Sequence, residues 1–382
     1  MAEDEKNFVA FLGPKASYTH QATLSAFPSP PYTLTPLLTI EDVFAAVQFG
    51  TVTRGVVPFE NSTNGSVVFT LDLFADLNNK YPDILVCDEV YVPVSHCLLG
   101  HDLKKRSSQN PSGHASNSLP ETGSMQIPSR TLPQPIIESP LSSGTITPTH
   151  SDPHPRKPRA PPLADLSLIT KLYSHPQAWG QCHPFLNTYL KGVERQDVSS
   201  TSRAAEIVAH DESGNSAAVS SGLAAEVWGL DVLARGIEER GDNCTRFFVL
   251  GKRKGEEEYV GTEAERTAEG GGEGMDNTAW KTLVSFTVDH ENPGSLAHSL
   301  AVFEKYGLNL TSINTRPSSV RNWNYIFFVE IQGRRCGGGG REGPVNQALE
   351  ELGKACRGWR WLGCERRQVV VRCRMTVEQG SS

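Results

Sequence analysis

A hydroxyl, a guanidinium and an aromatic ring stand in a row at Thr245, Arg246 and Phe247, where residues 242–251 (D-N-C-T-R-F-F-V-L-G) pass from polar to apolar. The β-prone run that follows reads as a buried strand with Thr245 and Arg246 at its mouth. A planar guanidinium fork fixes a carboxylate, and a hydroxyl beside it gives a hydrogen bond or a proton. The pair suits a small anionic substrate. A strand with a solvated first turn accounts for the same letters, and the segment alone does not decide between the two.

Other polar stretches keep it company. Residues 58–67 (P-F-E-N-S-T-N-G-S-V) leave a strand and enter a helix, which brings Glu60, Asn61 and Ser62 to the strand end where α/β proteins bind ligands. The N–H groups opening that helix favour an anion, and capping by Ser62 or Ser66 is the competing account. Residues 174–182 (S-H-P-Q-A-W-G-Q-C) lie likewise between strand and helix. Ser174 is placed to cap, Pro176 fits the first turn, and Gln177 and Gln181, four apart, share a face. His175 has no Asp or Cys partner at a telling spacing and is given no role. The turn at residues 13–20 is too poor in glycine for a phosphate loop. Metal, nucleotide, flavin and serine-hydrolase signatures are all missing, so the expected site is built of hydroxyls, amides and Arg, without cofactor or metal.

These residues need a scaffold. Up to about residue 103, strand and helix patterns alternate. Ile40, Val43, Phe44 and Val47 lie on one helical face, and 55–59 reads as a short buried strand. Alternation of this kind predicts an α/β domain with a largely parallel sheet. Residues 104–162, rich in Ser, Pro and Thr, predict a disordered insertion. Beyond it come a helix at 177–191, a helix at 201–209 capped by Thr201 or Ser202, and strands at 216–220 and 245–250. Residues 252–278, rich in Glu and Gly, read as a linker. Residues 279–376 give βαββαβ, the ferredoxin-like arrangement, with the last strand expected at 369–375.

Composition narrows the classes. A net charge of −7 over 382 residues argues against a nucleic-acid surface. No apolar run reaches the roughly 18 residues of a membrane span. The acidic start, M-A-E-D-E-K-N, has no apolar leader, and the eight scattered cysteines form no Cys-x-x-Cys pair; together these predict a cytoplasmic protein.

Taken in order, these motifs resemble the prephenate dehydratase family. The catalytic-domain resemblance rests on 58–67, 95–99 (S-H-C-L-L), 174–182, 201–206 and 242–251. Asn292-Pro293-Gly294-Ser295-Leu296 and Thr315-Arg316-Pro317-Ser318 resemble the motifs of its C-terminal ACT regulatory domain. The resemblance implies a two-lobed catalytic domain over 7–251, like a type II periplasmic binding protein with its site in the cleft, followed by an ACT domain. It implies decarboxylative dehydration of prephenate to phenylpyruvate, water and CO2 in phenylalanine biosynthesis. Thr245 would donate to the leaving hydroxyl, and Asn61, Ser174 and Gln181 would orient the substrate, with Glu60, Ser62, Thr201, Arg246 and Phe247 lining the site. L-phenylalanine would be a feedback inhibitor held by Asn292, Pro293, Gly294, Ser295 and Leu296 with Thr315, Arg316 and Pro317, in a homodimer or homotetramer. The family has Glu-Ser before Arg-Pro where Asn314-Thr315 stand here, which bears on the strength of inhibition. No chorismate mutase segment is read before Asn7, so a monofunctional enzyme is expected. Arogenate dehydratase, and a non-catalytic amino-acid sensor, are the rival readings.

Overall fold

Residues 7–28, 30–102, 157–253, 280–335 and 343–366 are described by the computed structural model. Most of the expected insertion and linker, and all of 369–375, lie outside them. The described chain forms two compact units. One takes the chain up to Val94 and again from Asp242; the other is Ser95–Gly241.

The first unit opens with β1 (Phe8–Leu12), α1 (Tyr18–Ala26), β2 (Thr33–Leu37), α2 (Ile40–Gln48), β3 (Arg54–Asn61), β4 (Gly65–Ser66), α3 (Val68–Ala75) and β5 (Ile84–Pro93). Local chemistry explains the helix starts. Ser17 caps α1 by accepting from His20 N. Thr39 and Asp42 make a reciprocal capping box on α2, which buries Val43, Phe44 and Val47.

The second unit follows with β6 (Cys97–Gly100), β7 (Lys171–Ser174), α4 (Pro176–Gln181), α5 (His183–Tyr189), β8 (Glu194–Asp197), α6 (Thr201–Ala209), β9 (Ser216–Ser220), α7 (Gly222–Trp228) and β10 (Asp231–Arg235). Its sheet runs β10-β6-β9-β7-β8. The helix expected over 177–191 is two short helices: Cys182 ends α4 and starts α5, with Pro184 in the new first turn. Ser200, not Thr201 or Ser202, caps α6 by accepting from Arg203 N. The core of this unit gathers Leu172, Phe185, Leu186, Val219 and Leu233.

The chain then re-enters the first unit with β11 (Cys244–Lys252), β12 (Trp280–Thr287), α8 (Ser295–Lys305), β13 (Leu310–Pro317), β14 (Tyr325–Gln332), α9 (Pro344–Ala355) and β15 (Gly358–Arg366). One sheet carries the whole unit, in the order β13-β14-β12-β15-β5-β11-β3-β1-β2. β1 is parallel to β2 and β3, whereas β11 lies between β3 and β5 and antiparallel to both. The sheet is therefore mixed rather than largely parallel, because the returning strand enters its middle in the opposite sense. The βαββαβ order of the C-terminal module is present, but its fourth strand is Gly358–Arg366, ahead of the position expected. At the seam, Gly363 pairs with Val86, and a Cβ on Gly363 would fall 2.1 Å from Val86 O. Leu283, Ile326, Phe328 and Leu362 of the module share a core with Phe44, Phe59, Phe74 and Phe248.

Candidate active site

Thr245 sits half-buried at the start of β11, directly across from Asn61 at the end of β3. The Asn61 carboxamide has a fixed orientation. Its Oδ1 accepts from Thr63 N and Asn64 N, both at 3.0 Å, so Nδ2 must face the other way. From there Nδ2 donates to Thr245 Oγ1 and to Asn243 Oδ1, each at 2.9 Å. Since Thr245 Oγ1 accepts, its own proton is aimed elsewhere, and no group among the described residues takes it. Ser62 ties the two strands together. Its Oγ accepts from Cys244 N at 2.9 Å and donates to Asn243 Oδ1 at 3.4 Å. Residues 58–67 are thus a hairpin of β3 with β4 leading into α3, whose N-cap is Val67, with no side-chain cap from Ser62 or Ser66.

Arg246 points to the opposite face, as alternation along a strand requires. It is 6% exposed, and it is surrounded by Glu89 at 0%, Glu330 at 2% and Glu365 at 0%. Nε donates to Glu89 at 2.6 Å, Nη1 to Glu330 at 2.8 Å, and Nη2 to both Glu330 and Glu365. Phe59 and Phe248 pack against the guanidinium, 5.2 and 4.8 Å from ring centre to Cζ. Lys281 Nζ adds a second cation, 2.7 Å from Glu89. Burial works against the charge on Arg246, but hydrogen bonding to Glu330 and the nearby carboxylates outweigh it and hold the guanidinium pKa above its ordinary value. Burial pushes the Glu365 carboxyl well up, with the charge of Glu330 adding to it. Burial also acts upward on Glu330, yet Arg246 wins and keeps it below the usual range. The expected carboxylate clamp on a substrate is corrected: buried Arg246 spends four of its five N–H groups on the protein's own carboxylates.

Two further expectations shift in the same way. Phe247 is 1% exposed and packs with Val9, Phe11, Val56 and Val249, so it is core rather than lining. Ser174 is fully buried and donates to Val219 O at 2.8 Å, while His175 caps α4. Its expected part in orienting a substrate, and in capping, gives way to a structural bond between β7 and β9. Gln181 keeps an available group. Its Oε1 lies 2.7 Å from His96 Nε2, and with that ring nitrogen as donor the Gln181 amide nitrogen has no partner among the described residues. Burial lowers the His96 pKa, so the ring is neutral. Thr201 is the first residue of α6 and half-buried; Glu60 is half-buried across from Arg246.

In the C-terminal module, residues 292–296 lead into α8, with Gly294 at φ 84° as its N-cap, a backbone region that favours glycine. Ser295 Oγ donates to Asn292 O at 3.0 Å. Thr287 and Arg316 both pair with Ile326, so this segment and Thr315-Arg316-Pro317 lie at one end of the sheet. Arg316 pairs with Asp72 of α3 at 2.5 Å, and Ser66 Oγ donates to Asn314 Oδ1 at 2.5 Å.

Residues 9–110 and 159–255, more than half of the chain, match the family described as prephenate dehydratase. The chain belongs to the prephenate dehydratase family. It is 32% identical to a bifunctional chorismate mutase/prephenate dehydratase of Aquifex aeolicus, over 91% of this chain and 70% of that one. A probable prephenate dehydratase of Saccharomyces cerevisiae is 29% identical, covering 84% of this chain and 86% of its own. The crystal structure of a prephenate dehydratase from Arthrobacter aurescens, in complex with L-Phe, superposes with a TM-score of 0.64 at 22% identity, over 94% of this chain and 90% of that one.

For a prephenate dehydratase, the residues that sequence reasoning passed over are informative. Asn243 braces Asn61 and Ser62, and His96 braces Gln181; each lies inside a motif that carried the resemblance, so position within the motif was the available signal. Glu89, Glu330 and Glu365 carried none: the first two read as ordinary strand residues until the strands are paired, and Glu365 lies ahead of the strand expected at 369–375.

Proposed function

We propose that the chain is a prephenate dehydratase of phenylalanine biosynthesis, with Thr245 as proton donor to the departing hydroxyl. The observation that carries this is the Asn61 Nδ2 donation to Thr245 Oγ1 at 2.9 Å, which leaves the hydroxyl's own proton for another acceptor, in a chain of this family. Prephenate loses CO2 from one ring carbon and hydroxide from the opposite one. The C–CO2 bonding pair enters the ring as the C–O bond breaks, and aromatisation supplies the drive. The enzyme has to hold the geometry and protonate the leaving oxygen. Threonine is too weak an acid to ionise first, so donation is concerted with C–O cleavage, and water restores the hydroxyl. No step requires a cofactor.

With Arg246 withdrawn, the substrate's carboxylates fall to other donors. Of the expected set, the Gln181 amide nitrogen and the Thr201 hydroxyl are the donors we retain for them; Glu60, itself a carboxylate, cannot donate, and Asn61 is committed to Thr245. We read the βαββαβ module as an ACT domain that binds L-phenylalanine as a feedback inhibitor at 292–296 and 315–317. The L-Phe complex of the Arthrobacter enzyme supports that reading. A homodimer or homotetramer is proposed with it, as is a cytoplasmic place. No described helix is long and apolar enough to cross a membrane.

The test is phenylpyruvate formation from prephenate and from arogenate side by side, with and without phenylalanine. A higher kcat/KM for prephenate, lowered by phenylalanine, is expected. Preference for arogenate would reassign the substrate, and no turnover of either would leave a sensor.

A further inference from the structure

We infer that Glu330, in the C-terminal module, is a positioning residue for the dehydration: through Arg246 it sets the placement of Thr245. This rests on the proposed function above.

The strand ladder is irregular just where Thr245 needs support. Thr245 pairs with Asn61 and Arg246 with Glu60, but Phe247 pairs with Pro58, so Phe59 is an extra residue on β3. Pro58 has no N–H to give the ladder, and bulges re-aim the side chains beside them. The β3 ladder thus breaks register between Arg246 and Phe247 before resuming at Pro58, while β5 pairs with β11 throughout; at the break, the side chain of Arg246 adds a constraint on the backbone that carries Thr245.

Arg246 is anchored chiefly from the module. Glu330 takes two of its nitrogens and Glu365 shares one, while Glu89 of β5 takes Nε. Three carboxylates face two cations, Arg246 and Lys281. Burial and the charge of Glu330 push the Glu365 carboxyl well up, and its Oε2 has no hydrogen-bond partner among the described residues, whereas Arg246 holds Glu330 below its ordinary value. Glu330 is then the ionised, two-pronged anchor, and such a pair fixes direction as well as distance. Asp or Gln at this position tests the two properties separately. Gln keeps the length and loses the charge, whereas Asp keeps the charge with a shorter reach.

The experiment measures kcat and KM for prephenate in wild type, Glu330→Gln and Glu330→Asp, each well below its own unfolding midpoint. Glu330→Gln is expected to lower kcat about tenfold or more with KM moved less than about twofold, the pattern of an interaction felt in the transition state. Glu330→Asp is expected to recover part of that loss. Full kcat in a folded Glu330→Gln, or a fall expressed only in KM, overturns the inference. If Glu330→Gln does not fold, Glu330→Asp decides alone: reduced kcat at unchanged KM supports the role, and wild-type kcat overturns it. A wild type that forms no phenylpyruvate removes the functional reading, and this inference with it; an active wild type with an unaffected variant removes the inference alone.

Discussion

An amide that donates to a hydroxyl oxygen polarises the O–H bond and makes that hydroxyl a better donor. Asn61 does this to Thr245, and it is itself held by two backbone N–H groups of its own turn. Its contribution to turnover therefore runs through Thr245. Replacing Asn61 by Ala is expected to reduce kcat about tenfold, the scale of one hydrogen bond worth ~1.4 kcal/mol. Steady-state kinetics check this, and a change confined to KM would instead place Asn61 on the substrate. The polar types at Thr245 and Asn61 were legible in the sequence, but their contact was not, because it joins residues 184 apart. Arg246 was misread for a simpler reason. Neighbours on a strand face opposite ways, so Thr245 and Arg246 cannot both meet one ligand.

At the scale of the element, β11 has a chemical end and a structural body. Phe247 and Val249 pack on one face, Phe248 and Leu250 on the other, so the strand is buried on both sides. Phe247 acts through packing. Phe247→Leu is expected to cost about 1 kcal/mol in urea unfolding, as near-volume-conserving core changes do, with KM for prephenate unmoved. A raised KM at unchanged stability would restore it to the site. Elements with strong local signals were readable: α2 announces itself through the spacing of Ile40, Val43, Phe44 and Val47. β8 did not, since Glu194, Arg195, Gln196 and Asp197 are all exposed and show no alternation. The bulge at Phe59 follows from which strands meet, and no local pattern encodes it.

Across the whole molecule, the buried charges link the C-terminal module to the catalytic strand and make stability depend on pH. Glu365 has its carboxyl raised in the fold, while in the unfolded chain it ionises near its ordinary 4.5. A raised value means that stabilisation is full below the unfolded value and is lost as pH rises through the folded one. Glu365→Gln removes that loss, so its stability relative to wild type should grow as pH rises above the ordinary 4.5 in urea titrations. A constant difference would show that Glu365 is ionised in the fold. His96 acts in the opposite sense: its depressed value gives stability that is present above 6.5 and lost as pH falls. The two-unit organisation could not be read from composition, because the chain leaves the first unit at Val94 and returns at Asp242 to fill the middle of its sheet.

Everything proposed about the chemistry converges on one hydroxyl. The direct measurement is the rate of phenylpyruvate formation from prephenate by wild type and by Thr245→Ala, with folding of both confirmed by circular dichroism. The expected result is an active wild type and a variant whose kcat is lower by about 10²-fold or more, the scale of one general-acid contribution. A folded Thr245→Ala with near-normal kcat would contradict it.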